Sequence, residues 1–286
     1  MSDGLRIAMW SGPRNISTAM MRAWESRGDT AVTDEPFYAH YLVATGVDHP
    51  GRDEVVASQS TDAAQVAAML TGPVPDDKPI WYQKHMTQHM LPGMSLDWFD
   101  RVTHCFLIRS PDEVVASFTR NRPDAAAWEL GFEQQARLFD AVCERLGNAP
   151  PVLDAGDVLR DPAGVLARLC ARLDIPFSRR MLQWTPGRRA SDGVWASHWY
   201  AKVEQSTGFE PWMQQFVWLV DPETRAVTLH AVTIGLREPG WVEIVSGLEE
   251  GQWIIREGVS LVREGMVVEV ANADNPSVAP ERIGER

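Results

Sequence analysis

The 286-residue sequence has few lysines, few cysteines and no long hydrophobic run. Its 27 basic residues are outnumbered by 39 acidic ones, so the formal net charge is −12 at pH 7. Because proteins that bind duplex nucleic acid normally carry a basic face, this balance disfavours nucleic acid as a partner. It leaves room for a small anionic ligand in a local pocket. The lysines are Lys78, Lys84 and Lys202, and the other cations are arginines, which suit phosphate and sulfate.

The three cysteines, Cys105, Cys143 and Cys170, are an odd number, and each lies in an apolar stretch. This usage predicts reduced thiols in a cytoplasmic protein rather than a disulfide framework. No apolar run approaches the roughly 18 residues that a membrane-spanning helix requires. The first residues also lack the basic and apolar segments of a signal peptide, so we expect no membrane span and no export signal.

Short apolar runs alternate with amphipathic stretches from residue 5 to about residue 185, which predicts an α/β fold. Strands are expected at residues 5–10, 30–33, 80–83, 103–108 and 151–153. Helices are expected at residues 17–26, 59–70, 111–122, 128–146 and 162–173. This order favours a parallel sheet with helices on both faces, in which ligands bind beyond the carboxyl ends of the strands.

The pattern changes near residue 216, where short apolar runs are separated by glycines and no helical period is evident. Strands are expected at residues 216–220, 226–234, 241–245, 252–255 and 267–270. We therefore divide the chain into an α/β domain over residues 1–209, a small all-β module over 210–271 and a disordered polar tail over 272–286.

The turn after the first strand, residues 11–18, has the composition of an anion site. Backbone N–H groups and the dipole of the following helix favour a negative ligand there, while Arg14, Asn15, Ser17 and Thr18 add polar side chains. The alternative is an ordinary strand-turn-helix connection in which Ser17 caps the helix. The lysine of a nucleoside-triphosphatase loop is missing, which disfavours a magnesium-triphosphate site.

A second motif follows the fourth strand, where Arg109 begins an Arg-x-Pro sequence and Ser117 comes eight residues later. The turn at 11–18, this second motif and an Asp-rich run at 151–162 follow one another along the chain. On these three segments, residues 5 to about 209 resemble the sulfotransferase family. The resemblance implies a P-loop-like α/β fold and 3′-phosphoadenylyl sulfate as co-substrate, without a metal. It also implies that Arg109 and Ser117 hold the 3′-phosphate of that donor. The alternative is an arginine at a sheet edge and an ordinary helical serine.

The same resemblance implies that the turn carrying Arg14, Ser17 and Thr18 holds the 5′-phosphosulfate. Asn15 stands where the family usually has serine, and Ile16 stands where it usually has glycine. Because a β-branched residue resists positive φ, we expect this loop to turn differently or to bind the donor less well.

Candidates for the chemistry follow strands two and three. The resemblance implies that Glu35 is the base for the acceptor proton, the alternative being a solvated or salt-bridged loop acid. Lys84 is the candidate for contact with the leaving oxygen, and His85 or His89 is a second candidate base. Because adjacent residues of a strand point to opposite faces, at most one of Lys84 and His85 is expected to face the site.

Two later segments complete the sequence prediction. The aromatic residues within 191–200 predict either a lid over adenine or acceptor, or a packing segment, and Arg188 and Arg189 before them are candidates for the 3′-phosphate. The apolar and glycine-containing runs at 216–221, 232–235, 241–251, 257–258 and 263–268 follow one another in the last part of the chain. On these runs, residues 216–270 resemble the membrane-proximal β domain of periplasmic efflux-pump adaptors. The hairpin and the lipoyl-like portion of an adaptor are not evident in this sequence, so we expect either a docking module for a protein partner or a joined-gene product.

The sequence therefore predicts an enzyme that moves a sulfuryl group to a hydroxyl or amine of a small-molecule acceptor. One alternative is a kinase-like nucleotide-dependent phosphotransferase. Another is a catalytically degenerate nucleotide-binding or interaction module. Related domains also occur joined to aminotransferase domains, but no pyridoxal-binding lysine pattern is evident and transamination is not predicted.

Overall fold

The computed structural model describes residues 4–119, 126–209, 215–238, 241–256 and 258–269. The chain divides into two compact units, Met1–Trp212 and Met213–Arg286. The first residues of the expected β module, 210–214, and the expected disordered tail over 272–286 lie outside the described residues. None of the helices in the described ranges has the length and apolarity needed to cross a membrane.

The first unit contains a five-stranded parallel sheet with helices on both faces, as predicted. Its strands, in the order β2-β3-β1-β4-β5, are β1 (Leu5–Ser11), β2 (Thr30–Asp34), β3 (Ile80–Met86), β4 (Thr103–Ile108) and β5 (Val152–Asp154). At the carboxyl ends, Ser11 of β1 pairs with Met86 of β3 and with Leu107 of β4. The strand ends that carry the predicted motifs are therefore neighbours at one edge of the sheet.

The helices of this unit are α1 (Ser17–Ser26), α2 (Tyr38–Thr45), α3 (Arg52–Ser58), α4 (Ala63–Leu70), α5 (Pro111–Thr119), α6 (Phe132–Leu146), α7 (Ala155–Arg160), α8 (Pro162–Arg172), α9 (Ala196–Trp199) and α10 (Ala201–Gln205). The helix expected at 59–70 begins only at Ala63, because the Asp62 carboxylate caps its first turn by accepting the N–H groups of Ala64 and Gln65. The helix expected at 128–146 begins at Phe132, since Gly131 has a positive φ of 72°. The connection between β2 and α4 contains α2 and α3.

The sheet separates two apolar cores. One face packs Met20 and Trp24 of α1 and Leu166 of α8 against the strands. The other face packs Leu70 of α4 and Leu138 of α6. Because successive residues of β3 alternate between these faces, Tyr82 lies in the first core and Trp81 in the second. The same alternation places the side chains of Lys84 and His85 on opposite faces of β3.

The second unit contains an antiparallel sheet, as expected for an all-β module. The strand order is β8-β7-β6-β9, with β6 (Gln215–Val220), β7 (Val227–Glu238), β8 (Trp241–Ser246) and β9 (Trp253–Ile254). The strand expected at 267–270 is reduced to a single antiparallel bridge between Val267 and Ala226 in the described residues.

Candidate active site

The turn between β1 and α1 is held against the sheet by Asn15. Its Nδ2 atom donates a hydrogen bond to the carbonyl oxygen of Leu107 on β4 at 2.7 Å. The Asn15 side chain therefore fastens the turn, and its donor group is not directed to a ligand. Ser17 is the first residue of α1, so it is not the helix cap that the alternative interpretation required.

The first turn of α1 is open to an anion. No side chain caps it, and no acidic residue lies within it. Among the described residues, no acidic side chain of this turn offsets the partial positive charge of the helix N-terminus, although the Ser17 N–H donates to the Asn15 carbonyl oxygen. Ser17 and Thr18 lie in this first turn, and Arg14 is exposed immediately before it.

The backbone of Ile16 has a conformation that a β-branched side chain tolerates. Its φ is −37°, and the residue of the turn with a positive φ is Arg14, at 58°. The negative φ of Ile16 agrees with the resistance of a β-branched residue to positive φ, and the expectation that the loop turns differently or binds the donor less well stays a prediction. Ile16 packs against the apolar core on the α1 side of the sheet.

Arg109 and Ser117, which the sequence places at the 3′-phosphate, lie beside the loop residue Arg14. The Nη1 atom of Arg109 donates to the carbonyl oxygen of Arg14 at 2.8 Å, and Nε of Arg14 donates to Oγ of Ser117 at 2.9 Å. Nε of Arg109 also contacts the Glu113 carboxylate at 2.9 Å. The structure thus brings together two motifs that are about 95 residues apart in the sequence. We name Arg14, Arg109 and Ser117 the arginine cluster.

Glu35 and Lys84 meet at the ends of β2 and β3, where Asp34 pairs with Lys84 in register. The Lys84 ammonium donates to Asp34 Oδ1 at 2.8 Å, to Glu35 Oε1 at 2.6 Å and to the Tyr200 hydroxyl at 2.6 Å. Lys84 is 1% exposed, Asp34 5% and Tyr200 4%. We name these four residues the base cluster. All three protons of Lys84 are engaged, so its ammonium reaches a leaving oxygen only by giving up one of these contacts.

Burial and charge act in opposite directions on the base cluster. Burial raises the pKa of Glu35, which Lys84 opposes and the neighbouring Asp34 carboxylate reinforces, so the pKa lies above the ordinary value. Burial also disfavours the Lys84 ammonium, but Asp34 and Glu35 outweigh it and hold the pKa of Lys84 well above its usual range. Lys84 is therefore charged at neutral pH, and Glu35 takes up a proton more readily than an ordinary glutamate.

The structure does not bring His85 into the base cluster. His85 lies on the opposite face of β3, stacked on Trp10 with ring centroids 4.3 Å apart, and Nε2 lies 3.3 Å from Oε1 of Gln83. Burial lowers the pKa of His85 to about 3. His89 is also buried, stacks on Tyr38 at 4.7 Å, and has a pKa that burial lowers well below the ordinary value. Both histidines are packed aromatic groups rather than members of the base cluster.

Tyr200 and Asp34 are the members of the base cluster that the sequence did not single out. Tyr200 ends the aromatic segment 191–200, which contributes to the apolar cluster under α2 and α3. The segment therefore packs over the base cluster. Arg189 does not reach the arginine cluster, because its Nη1 atom binds the Glu25 carboxylate on α1. No motif places a tyrosine at this distance along the chain, so only the tertiary structure identifies it.

No group of three or more histidine, cysteine, aspartate or glutamate side chains in the described ranges is arranged to hold a metal ion. Asp154, which follows a strand as a magnesium-binding acid would, instead caps α7 by accepting the N–H groups of Gly156 and Asp157.

The chain is similar to two kinds of known protein. Over 210 residues it is 39% identical to branched-chain-amino-acid aminotransferase-like protein 1 of Arabidopsis thaliana, a match that covers 73% of this chain and 37% of the relative. The chain thus spans little more than a third of that relative's length. A 76-residue stretch is 38% identical to multidrug resistance protein MdtA of Yersinia pseudotuberculosis, covering 24% of this chain and 17% of that protein.

Among solved structures, the sulfotransferase domain of the Synechococcus PCC 7002 olefin synthase aligns with a TM-score of 0.45 and 16% identity, over 72% of this chain and 86% of that one. A family profile described as "Sulfotransferase domain" matches residues 5–215. That span contains both the arginine cluster and the base cluster, and the chain therefore belongs to the sulfotransferase-domain family.

Proposed function

We propose that the first unit transfers a sulfuryl group from 3′-phosphoadenylyl sulfate to a hydroxyl or amine of a small-molecule acceptor. The observation that carries the proposal is the convergence of two different sites at one edge of the sheet. The uncapped N-terminus of α1 with the arginine cluster offers positive charge, while the base cluster offers a buried carboxylate.

The donor would lie at the positive end of the site. Its 5′-phosphosulfate would accept hydrogen bonds from the first turn of α1, including Ser17 and Thr18, as helix N-termini bind anions. Its 3′-phosphate would take Arg109 and Ser117 as ligands. Hydrogen bonds to a phosphate are charge-assisted, so Arg109 and Ser117 together would account for a large part of the affinity for the donor.

Glu35 is the base in this proposal because one of its oxygens is available. Oε1 accepts the Lys84 ammonium, whereas no hydrogen bond within the described ranges ends on Oε2. Asp34 is a poorer candidate, since both of its oxygens accept hydrogen bonds. A glutamate whose pKa is raised by burial is also better matched to an acceptor proton near neutral pH.

In the reaction the acceptor oxygen or nitrogen attacks sulfur, and its proton passes to Oε2 of Glu35. The bond between sulfur and the 5′-phosphate oxygen breaks, and adenosine 3′,5′-bisphosphate leaves with the electron pair. Lys84 keeps Glu35 ionised before the transfer, and His85 has no part in these steps.

The test is calorimetric titration of the protein with adenosine 3′,5′-bisphosphate. Micromolar binding is expected, and Arg109→Ala is expected to cost about 1.5–3 kcal/mol, roughly a ten- to hundredfold loss of affinity. Arg145→Ala removes an arginine from a partly exposed ion pair with Asp100 and serves as the control. A folded protein that does not bind the bisphosphate would contradict the proposal, and tight binding of ATP with magnesium would favour a phosphotransferase.

A further inference from the structure

We propose that Tyr200 is a positioning residue of the site: its hydroxyl holds Lys84 and Asp34 in place so that Glu35 presents one unpaired oxygen to the acceptor. The inference rests on the proposed function for the identity of the reaction. The contacts of the buried Tyr200 hydroxyl support the role itself.

The hydrogen-bonding capacity of the Tyr200 hydroxyl is completely used. It donates its proton to Asp34, whose Oδ2 atom lies at 2.7 Å, and it accepts from Lys84 at 2.6 Å and from Nε1 of Trp195 at 3.1 Å. A phenol has one donor and two acceptor positions, so each contact fixes the direction of the others. Burial and the Asp34 carboxylate raise the pKa of Tyr200 well above its usual range, so the phenol stays protonated and remains a donor.

The segment that carries Tyr200 is anchored on both the base cluster and α1. The backbone N–H of Gly193 donates to Asp34 Oδ2 at 3.2 Å. The buried Arg22 of α1 forms an ion pair with Asp192 at 2.6 Å, and Ser191 donates to Glu25 of α1 at 2.6 Å. The segment that carries Tyr200 is therefore attached to α1, and the N-terminus of α1 is the proposed donor site.

Loss of the hydroxyl changes how Lys84 is shared between the two carboxylates. Asp34 would lose its Tyr200 donor and would draw the ammonium more strongly to itself. Glu35 would then lose part of the contact that favours its ionised form. The groups facing Glu35 are Asp34 on β2, Lys84 on β3 and Tyr200, so no other charge compensates within this cluster.

Tyr200→Phe tests the proposal, with Tyr82→Phe as a matched control. Tyr82 is fully buried on β3, on the same core face as α1, and its hydroxyl has no hydrogen-bond partner among the described residues. The side-chain carboxyl of Glu35 is followed by ¹³C NMR in glutamate-labelled protein, with Glu35→Gln to assign the signal. The titration midpoint of Glu35 is expected to move to higher pH in Tyr200→Phe and to stay in place in Tyr82→Phe.

A second readout uses hydrolysis of 3′-phosphoadenylyl sulfate without an added acceptor. Tyr200→Phe is expected to lower kcat about tenfold, equivalent to about 1.4 kcal/mol, and to leave the Kd for adenosine 3′,5′-bisphosphate unchanged. If Tyr200→Phe does not fold, Trp195→Phe removes the donor that orients the same hydroxyl and is expected to move the Glu35 midpoint in the same direction by less.

The two proposals fail in different ways. An unchanged Glu35 midpoint in a folded Tyr200→Phe protein, or in a folded Trp195→Phe protein where that variant is used, overturns the positioning role even if the donor binds and is hydrolysed. A protein that does not bind the bisphosphate overturns the proposed function, and a Glu35 midpoint that still moves would support the role of Tyr200 in the base cluster.

Discussion

The base cluster and the arginine cluster lie at the same edge of the sheet but are built in different ways. In the base cluster Lys84 is 1% exposed and every proton of its ammonium has an acceptor. In the arginine cluster Arg14 is exposed, and its contact to Ser117 lies near solvent. A buried, saturated network is costly to rearrange, whereas exposed contacts exchange readily. If the proposed function holds, the base is arranged before the donor binds, while the proposed phosphate ligands exchange protein contacts for donor contacts.

The largest effect is expected from Lys84→Met, which breaks the base cluster. Removing the ammonium leaves the Asp34 and Glu35 carboxylates buried without their cation, and the free energy of unfolding is expected to fall by about 3–5 kcal/mol. Urea denaturation at pH 7 measures it. The exposed Lys202→Met is the control and is expected to stay within about 0.5 kcal/mol. A Lys84→Met protein as stable as the wild type would show that the cluster is not preorganised by its lysine.

A smaller loss of stability is expected at low pH, and it comes from His85 on the opposite face of β3. Burial lowers the pKa of His85 to about 3, against about 6.5 when unfolded. Below pH 6.5 the His85 imidazole therefore binds a proton in the unfolded state but not in the folded state. The free energy of unfolding falls as the pH is lowered through this range. His85 is expected to account for about 2 kcal/mol of the loss between pH 7 and pH 5.

Unfolding free energies at these two pH values, measured for the wild type and for His85→Gln, check this expectation. The pH-dependent loss should be smaller in His85→Gln, while the exposed His198→Gln should lose as much as the wild type. Equal losses in all three proteins would show that His85 is not held neutral by the fold.

The sequence predicted the sheet and most strand positions because apolar runs of the right length leave few alternatives. It also predicted that Lys84 and His85 would separate, since β3 continues to Met86 and preserves the alternation. It could not predict Tyr200, which meets Lys84 across 116 residues through packing of an irregular segment. It also could not predict that the positive φ of the turn falls on Arg14, since the sequence does not show that Asn15 is hydrogen-bonded to β4.

The variant Ile16→Gly tests whether the isoleucine restricts the turn at the proposed donor site. Ile16 already has a negative φ and packs on the core, so glycine is expected to lose about 1–2 kcal/mol of stability without tightening the binding of adenosine 3′,5′-bisphosphate. Thermal unfolding and calorimetry measure the two quantities, with Ile16→Val as the conservative control. A tenfold gain in affinity would show that the isoleucine does restrict the loop.

The smallest effect is expected from Ser117→Ala in the arginine cluster. Its hydroxyl is one exchangeable contact near solvent, so the variant is expected to weaken bisphosphate binding by about 0.5–1.5 kcal/mol, roughly two- to tenfold, with little change in stability. Calorimetry alongside the exposed Ser58→Ala control measures it. A loss of stability larger than the loss of affinity would mean that Ser117 supports the fold rather than the donor.

The central claim is that Glu35 accepts the acceptor proton during sulfuryl transfer. The most direct test is the rate of hydrolysis of 3′-phosphoadenylyl sulfate by wild-type protein, Glu35→Gln and the exposed control Glu144→Gln, with bisphosphate affinity measured on the same samples. We predict that Glu35→Gln lowers kcat by at least about a hundredfold and leaves the affinity unchanged, while Glu144→Gln matches the wild type. A Glu35→Gln protein that turns over the donor at the wild-type rate would contradict the account.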